Sequence, residues 1–240
     1  MFLRYIFGIK KNLTINNFFD HDMYISNDGW SFNMILEILF DDIYKYLWWC
    51  DHFLDIGGFL WESAIYFSTV NQKVTVYEAD PDNFKYLTKN VSNIHNIVWH
   101  HNMAVMWDDT VEIKFYKDNE NDPWSSMMKS SGKKSFVVQC INFFDIIQKY
   151  PDIDGIKLDI EGGEYTIVKQ FTSENFHFKK WQIEFHDLDA DKFSVLSIFI
   201  GLLQSQWYIF EFIDIYGKII SYEEIKNLSN RIFTMYFVKI

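Results

Sequence analysis

The chain has 240 residues, with 33 Asp and Glu against 22 Lys and Arg and a formal charge of −11. That balance works against a nucleic-acid partner, which needs clustered cations to displace phosphate counterions, and the Lys pairs at 10–11, 133–134 and 179–180 are too isolated to form a patch. A composition 49% hydrophobic and 20% aromatic, with three prolines and ten glycines, excludes a disordered chain and suits one large core built from rings.

Residues 1–30 mix aromatic, Asn and Asp residues without clear periodicity. The opening "MFLRYIFGIKKN" is broken by Arg4 and has no small-residue cleavage site, so it does not read as a secretion signal. "SFNMILEILFDDIYKYLWW" (31–49) has apolar residues at helical spacing, with Ser31 as N-cap. Residues 1–49 are therefore read as an N-terminal extension carrying a helix. Its aromatic surface would serve as a lid or as a homo-oligomer interface, ahead of a domain over 50–240.

From Cys50 the pattern alternates. "CDHFLDIG" (50–57) reads as a buried strand, "WESAIYFSTV" (61–70) as a helix, and "KVTVYEA" (73–79) as a strand rich in β-branched residues. "PDNFKYLTKNV" (81–91) is a helix opened by Pro81, and "NIVWHHNMAV" (96–105) is a strand. A strand "VEIKFY" precedes a polar loop "KDNENDPWSSMMKSSGKK", then strand 135–141 and helix 143–150. "DGIKLDI" (154–160) is a strand ending at an acidic turn, followed by helix "EYTIVKQF" and strand "KWQIEFHDL" (180–188). Helix 191–206 leads to two closing strands, "WYIFEFIDI" and "RIFTMYFVKI".

Such alternation implies an α/β, Rossmann-like three-layer sandwich with a mostly parallel sheet. Only residues 216–230 separate the last two strands, which predicts an antiparallel pair at the C-terminal edge. The apolar run at 193–203 is too short to span a bilayer. Cys50 and Cys140 lack metal-type spacing and read as buried free thiols of a reducing compartment. The expectation is a cytoplasmic protein without a membrane or nucleic-acid partner.

In such sheets ligands bind beyond the carboxyl ends of the strands, where the strand order reverses. Asp55, Gly57 and Gly58 end the first strand of the alternating region, and Glu78 ends the second, 21 residues after Gly57. A carboxylate at that offset can accept hydrogen bonds from both ribose hydroxyls. The adjacent glycines do not fit GxGxxG, which disfavours a nicotinamide cofactor. Asp55, Glu62, Glu78, Asp80, Asp82, Asp159 and Glu161 gather around these strand ends, with no Lys or Arg expected nearby. A cationic ligand suits such a setting better than a pyrophosphate. His186 ends a strand and is the candidate general base, since an unperturbed imidazole titrates near neutrality. At most one of His100 and His101 can face the site. Asp159, Glu161 and His186 carry donor types that divalent ions accept, but their spacing is not diagnostic and no metal is assigned.

The ordered segments "FLDIGGFLWESAIYF", "VTVYEADPDNFKYLTKNV", "NMAV", "DPWSSM", "INFFDII", "IDGIKLDIEGGEYTIV" and "QIEFHDL" resemble the FkbM-type methyltransferases, a branch of the class I S-adenosylmethionine-dependent fold. The resemblance runs from about residue 50 to 188, and "KLDIEGGEYTIV" is its strongest piece. It implies that Asp55, Gly57 and Gly58 form the methionine-side loop and that Glu78 holds the ribose, with Asp82 and Asn83 in the turn after it. It implies that Asn102, Met103 and Ala104 border the adenine and that Ser125 and Ser126 match a paired-serine segment. Asp159, Glu161 and Gly162 match the acidic motif, and His186 a frequent histidine. The implied cofactor is S-adenosylmethionine, and the implied reaction is O-methylation of a small-molecule or carbohydrate hydroxyl.

Trp61 stands where the family pattern usually has Gly. Its indole is expected to point into the core, leaving its backbone N–H toward the cofactor. The alternative is a catalytically inactive methyltransferase-fold protein, a binding or assembly module whose methionine pocket Trp61 fills.

Overall fold

The computed structural model describes residues 13–18, 21–25, 38, 44–117, 134–215, 217–228 and 232–240. An antiparallel hairpin, β1 (Leu13–Phe18) and β2 (His21–Ile25), comes first. A short 3-10 turn at Lys45–Leu47 leads into β3 (Phe53–Ile56), α1 (Glu62–Val70), β4 (Val74–Tyr77), α2 (Pro81–Val91) and β5 (Ile97–His101). Then come β6 (Ala104–Met106), β7 (Glu112–Lys117), β8 (Lys134–Asn142), α3 (Phe143–Lys149), β9 (Gly155–Leu158), α4 (Glu164–Val168) and β10 (Lys180–Phe185). The chain closes with α5 (Ala190–Ser205), β11 (Tyr208–Asp214), β12 (Ile219–Ile220), α6 (Tyr222–Ile225) and β13 (Phe233–Lys239).

The main sheet has the order β12-β11-β13-β10-β9-β3-β4-β5. Strands β3, β4, β5, β9 and β10 are parallel, as their helical crossovers require. The chain starts in the middle at β3, builds outward to β5, and returns on the other side at β9. The reversal therefore lies between β3 and β9, where a crevice opens at the carboxyl ends. The expected antiparallel closing pair is present, with β13 entering between β10 and β11.

The "NIVWHHNMAV" segment is not one strand. It breaks at Asn102–Met103, and β6 leaves the main sheet to join β8 and β7 in a three-stranded one. The expected helix over 31–49 falls largely outside the described residues. Ile38, Tyr44 and Leu47 are nevertheless buried in the same cluster as Phe53 and Trp61.

Alternation in β3 explains the two cores. Phe53 faces α1 and α2 with Val74, Val76, Ala64 and Leu87. Leu54 and Ile56 face the other way, toward Ile156, Leu158, Phe143 of α3 and Phe199 of α5. In that second layer Phe171, Phe176, Phe178, Trp181 and Phe237 pack mostly edge-on, with Phe171 and Trp181 centroids 5.3 Å apart at 88°. Each such pair adds roughly 0.5–1.5 kcal/mol beyond the area it buries. No described helix is long and apolar enough to cross a membrane.

Candidate active site

The loop after β3 is made by its glycines. Gly57 and Gly58 both donate to the Tyr77 carbonyl at the end of β4, at 2.9 and 3.1 Å. Gly57 has φ +86, and a Cβ there would overlap the Asp159 carbonyl oxygen. Only glycine lets this loop lie directly on the acidic turn after β9. Asp55 is fully buried and turns inward. Ser63 Oγ of α1 donates to its Oδ2 at 2.7 Å, and Lys157 Nζ lies 3.6 Å from its Oδ1. Burial raises its pKa against the opposing pull of Lys157 and Ser63. The carboxylate ties the loop to α1 and β9.

Trp61 is completely buried, in the core under α1. Its indole belongs to the core cluster with Phe53, Ala64 and Leu87, the direction the sequence reading expects. The amide differs from expectation: Trp61 N–H donates to Glu62 Oε2 at 3.1 Å. The buried Glu62 carboxylate folds back onto its own helix start, where it also meets the positive end of the helix dipole.

Glu78 closes the loop from β4. Its Oε2 accepts from Phe59 N–H at 2.8 Å and its Oε1 from Asp80 N–H at 2.7 Å. Burial pushes this carboxyl up to about 8, with the Asp80 amide pulling the other way. Two of its roughly four acceptor sites are used, so capacity remains for a diol. Asn102 marks the strand break because its Nδ2 donates to the Glu78 and Ala79 carbonyls, at 2.9 Å each. Buried Ala104 begins β6 beside this bracket. Asp80 caps α2 through the Asp82 and Asn83 amides and pairs with buried Lys117 of β7. Ser125 and Ser126 lie outside the described residues. His101 stacks on Tyr77, with ring centroids 4.7 Å apart.

The second half of the site is the turn after β9 with the end of β10. Glu161 has φ 58 and Asp187 φ 52, left-handed conformations rare outside glycine. Fully buried Glu164 organises both segments. Its Oε1 accepts from Ile160 N–H (3.2 Å) and Gly162 N–H (3.0 Å), and lies 3.1 Å from His186 Nδ1. His186 Nε2 then lies 3.6 Å from Glu161 Oε2 and 3.6 Å from Glu184 Oε1. Burial opposes charge on the ring, but the Glu164 hydrogen bond and the charges of Glu164, Asp159 and Glu161 push the imidazole up to about 10. In this setting the ring is a cation, not the neutral base expected from an unperturbed histidine. Burial, with Asp159 beside them, raises the Glu161 and Glu184 carboxyls.

Contrary to the sequence expectation, the strand ends do carry lysines. Lys157 Nζ donates to the Gly57 carbonyl (2.9 Å) and sits 3.3 Å from Asp159 Oδ2, while Lys117 meets Asp80. Burial works against the Lys157 charge, yet Asp159 and Asp55 hold its pKa above the ordinary value. Part of the acidic charge at the crevice is thus neutralised from below the loops. Lys157, Glu164 and Glu184 are site residues that sequence reasoning misses. For Lys157 and Glu184 the one signal is a polar residue interrupting the apolar strand patterns "GIKL" and "WQIEF".

The structure thus brings Asp55, Gly57, Gly58, Glu78 and Asn102 to one side of the β3/β9 crevice. Asp159, Glu161 and His186 lie on the other, and the Gly57–Asp159 contact joins them. The Methyltransferase FkbM domain profile matches residues 49–221. No curated protein matches the sequence. Among solved structures, a methyltransferase FkbM from Methylobacillus flagellatus KT is similar at 15% identity and TM-score 0.49. That match covers 78% of this chain, which spans only 43% of the other. A Streptococcus mutans protein in complex with SAH is similar at 10% identity and TM-score 0.46, over 83% of this chain and 95% of that one. An O-methyltransferase from Bacillus cereus, also with SAH, is similar at 10% identity and TM-score 0.41, over 89% and 82%.

Proposed function

This chain belongs to the FkbM methyltransferase family, and from that premise we propose that it binds S-adenosylmethionine in the β3/β9 crevice and methylates a hydroxyl oxygen of a small molecule or sugar. The observation that supports the reading is the Gly57–Asp159 contact, which joins the loop that Glu78 fastens through the Phe59 amide to the acidic turn bearing Glu161. The residues fit that cofactor: Glu78 keeps spare acceptor sites, the Trp61 ring is withdrawn into the core, and Lys157 is buried among carboxylates.

S-adenosylmethionine, when bound, supplies an electrophilic methyl carbon whose bonding pair returns to sulfur as an acceptor oxygen displaces it. The chain's own work is to position and to move a proton. Glu78 accepts hydrogen bonds from the ribose hydroxyls. The Phe59 loop, fastened to Glu78, sets the methionine side. Glu161 takes the acceptor hydroxyl proton as the new O–C bond forms. Its partly exposed carboxylate lies beside His186, and Glu164 keeps that ring from turning. Holding two reactants in line supplies much of the acceleration at such a site. The cytoplasm is the compartment this chemistry and the two free cysteines suit.

The test is methyl transfer from labelled S-adenosylmethionine to a panel of sugars and polyols, read as S-adenosylhomocysteine formed. Glu161→Gln should lower turnover about hundredfold or more while cofactor affinity holds. Turnover equal to wild type would overturn the assignment of the base. One observation favours a second reading, a fold retained as a binding module: Glu62 takes the Trp61 amide at the start of α1. That reading requires no cofactor binding at all.

A further inference from the structure

We propose that Lys157 is a positioning residue for the methyl transfer: its buried ammonium fastens the donor loop to the acidic turn and supplies the fixed positive charge of the cluster in which Glu161 takes the acceptor proton. This role rests on the methyltransferase reading; the contacts that define it do not.

Sheet register brings Lys157 to this place. Strand β9 lies between β3 and β10, and Lys157 is paired with Asp55 on one side and Gln182 on the other. Paired residues of neighbouring strands share a face, so Lys157 and Asp55 point the same way. The flexible stem then carries the ammonium toward the carboxyl ends of the strands. There Nζ donates to the Gly57 carbonyl at 2.9 Å and to Asp159 Oδ2 at 3.3 Å, and it lies 3.6 Å from Asp55 Oδ1.

Of the two cations Lys157 and His186, one alone reaches both halves of the site. His186 is held by Glu164 and lies 3.6 Å from Glu161 and Glu184, all on the acidic turn, α4 and β10. Lys157 touches the donor loop as well as that turn. Both backbone polar groups of Gly57 are thereby fixed, the N–H by the Tyr77 carbonyl and the carbonyl by Lys157. Lys157 is 4% exposed, so little water reaches these contacts. An apolar side chain of similar length would fill the space but take this donor from the Gly57 and Asp159 oxygens.

The charge matters to the base. The groups facing Glu161 are Asp159 of its own turn, Glu164 of α4, Glu184 and His186 of the β10 end, and Lys157 of β9. Burial raises the Glu161 carboxyl and Asp159 adds to the rise, while His186 and Lys157 draw it down. Lys157 itself faces Asp55, Asp159 and Glu184. The Tyr44 hydroxyl of the N-terminal segment faces Asp55 and Asp159 in turn, and Glu78 feels Lys157 from the end of β4. Withdrawing this cation from so many carboxylates makes Glu161 harder to ionise, and a protonated carboxyl cannot take the acceptor proton. Lys157 keeps its own proton throughout, and the bond changes remain those of the proposed methyl transfer.

The experiment compares wild type, Lys157→Arg and Lys157→Met as full chains. S-adenosylhomocysteine formation is followed from acid to alkaline pH at saturating S-adenosylmethionine, with the sugar or polyol that wild type turns over best. Glu161 is titrated separately in the cofactor-free protein by carboxyl-carbon NMR, its signal assigned with Glu161→Gln. Lys157→Met leaves buried Asp55 without its counter-charge, so the double variant Lys157→Met, Asp55→Asn carries the same readouts if the single one does not fold. In Lys157→Met the Glu161 midpoint and the acidic limb of turnover should both move up by about one pH unit, which lowers turnover below the limb about tenfold. Lys157→Arg keeps the charge and should hold both near their wild-type positions. A Glu161 midpoint that does not move, or turnover lost equally at every pH, overturns the inference. A midpoint that moves as expected in a protein that forms no S-adenosylhomocysteine sinks the methyl-transfer reading alone.

Discussion

Gly57 packs so closely on Asp159 that a single added methyl group would occupy the position of the Asp159 carbonyl oxygen. Two loops far apart in sequence thereby become one floor. Gly57→Ala should destabilise the protein by about 1–3 kcal/mol, from steric overlap and from a left-handed φ. Denaturant unfolding measures it. A midpoint equal to wild type would mean that the loops are not in contact.

Glu164 is expected to be the most sensitive position of the second half-site. Glu164→Ala leaves two amides and a buried imidazole without their acceptor, a loss of about 2–3 kcal/mol. Glu164→Gln keeps an acceptor oxygen, so it should retain more stability while still altering the charge on His186. If the two variants unfold alike, the hydrogen bonds are not what holds the turn.

Trp61→Ala removes a fully enclosed ring and should cost about 3–5 kcal/mol. Cofactor affinity per folded molecule should stay close to wild type, because the indole lies in the core and not in the crevice. A gain in affinity would instead place the ring in the ligand's way and favour the binding-module reading.

The raised Glu78 carboxyl gives a pH signature. Its folded pKa of about 8 lies above the usual carboxylate value of 4.5. Between those values the folded state holds the extra proton, so this group's contribution to stability falls as pH rises through that window. Glu78→Gln should flatten that part of the stability profile. The same proton competes with use of both carboxylate oxygens as acceptors, so cofactor affinity should rise toward pH 8 in wild type and lose that slope in the variant. Parallel slopes in the two proteins would contradict the assignment.

The β3–α1–β4–α2 order is legible in "FLDIGG", "VTVYE" and the Pro81 helix start, because apolar runs and breakers act locally. The order of such segments also carries the fold class and the family. The partners of Asp159 and His186 are not legible in the same way. Glu184 and Lys157 reach them through the register between β9 and β10, which no linear spacing encodes. Glu164 reads as an ordinary acid at a helix start, and only its burial reveals it as the acceptor of three donors. The break at Asn102 is also hidden, since the β-forming pattern continues on both sides and a side-chain bracket, not a turn residue, interrupts it.

The most direct test is calorimetric titration of S-adenosylmethionine into wild type and Glu78→Ala. Saturable binding to wild type is expected, with affinity weaker by about tenfold or more in the variant, the loss of one to two good hydrogen bonds. No heat of binding in wild type at millimolar cofactor, or equal affinity in both proteins, would contradict the assignment of the crevice.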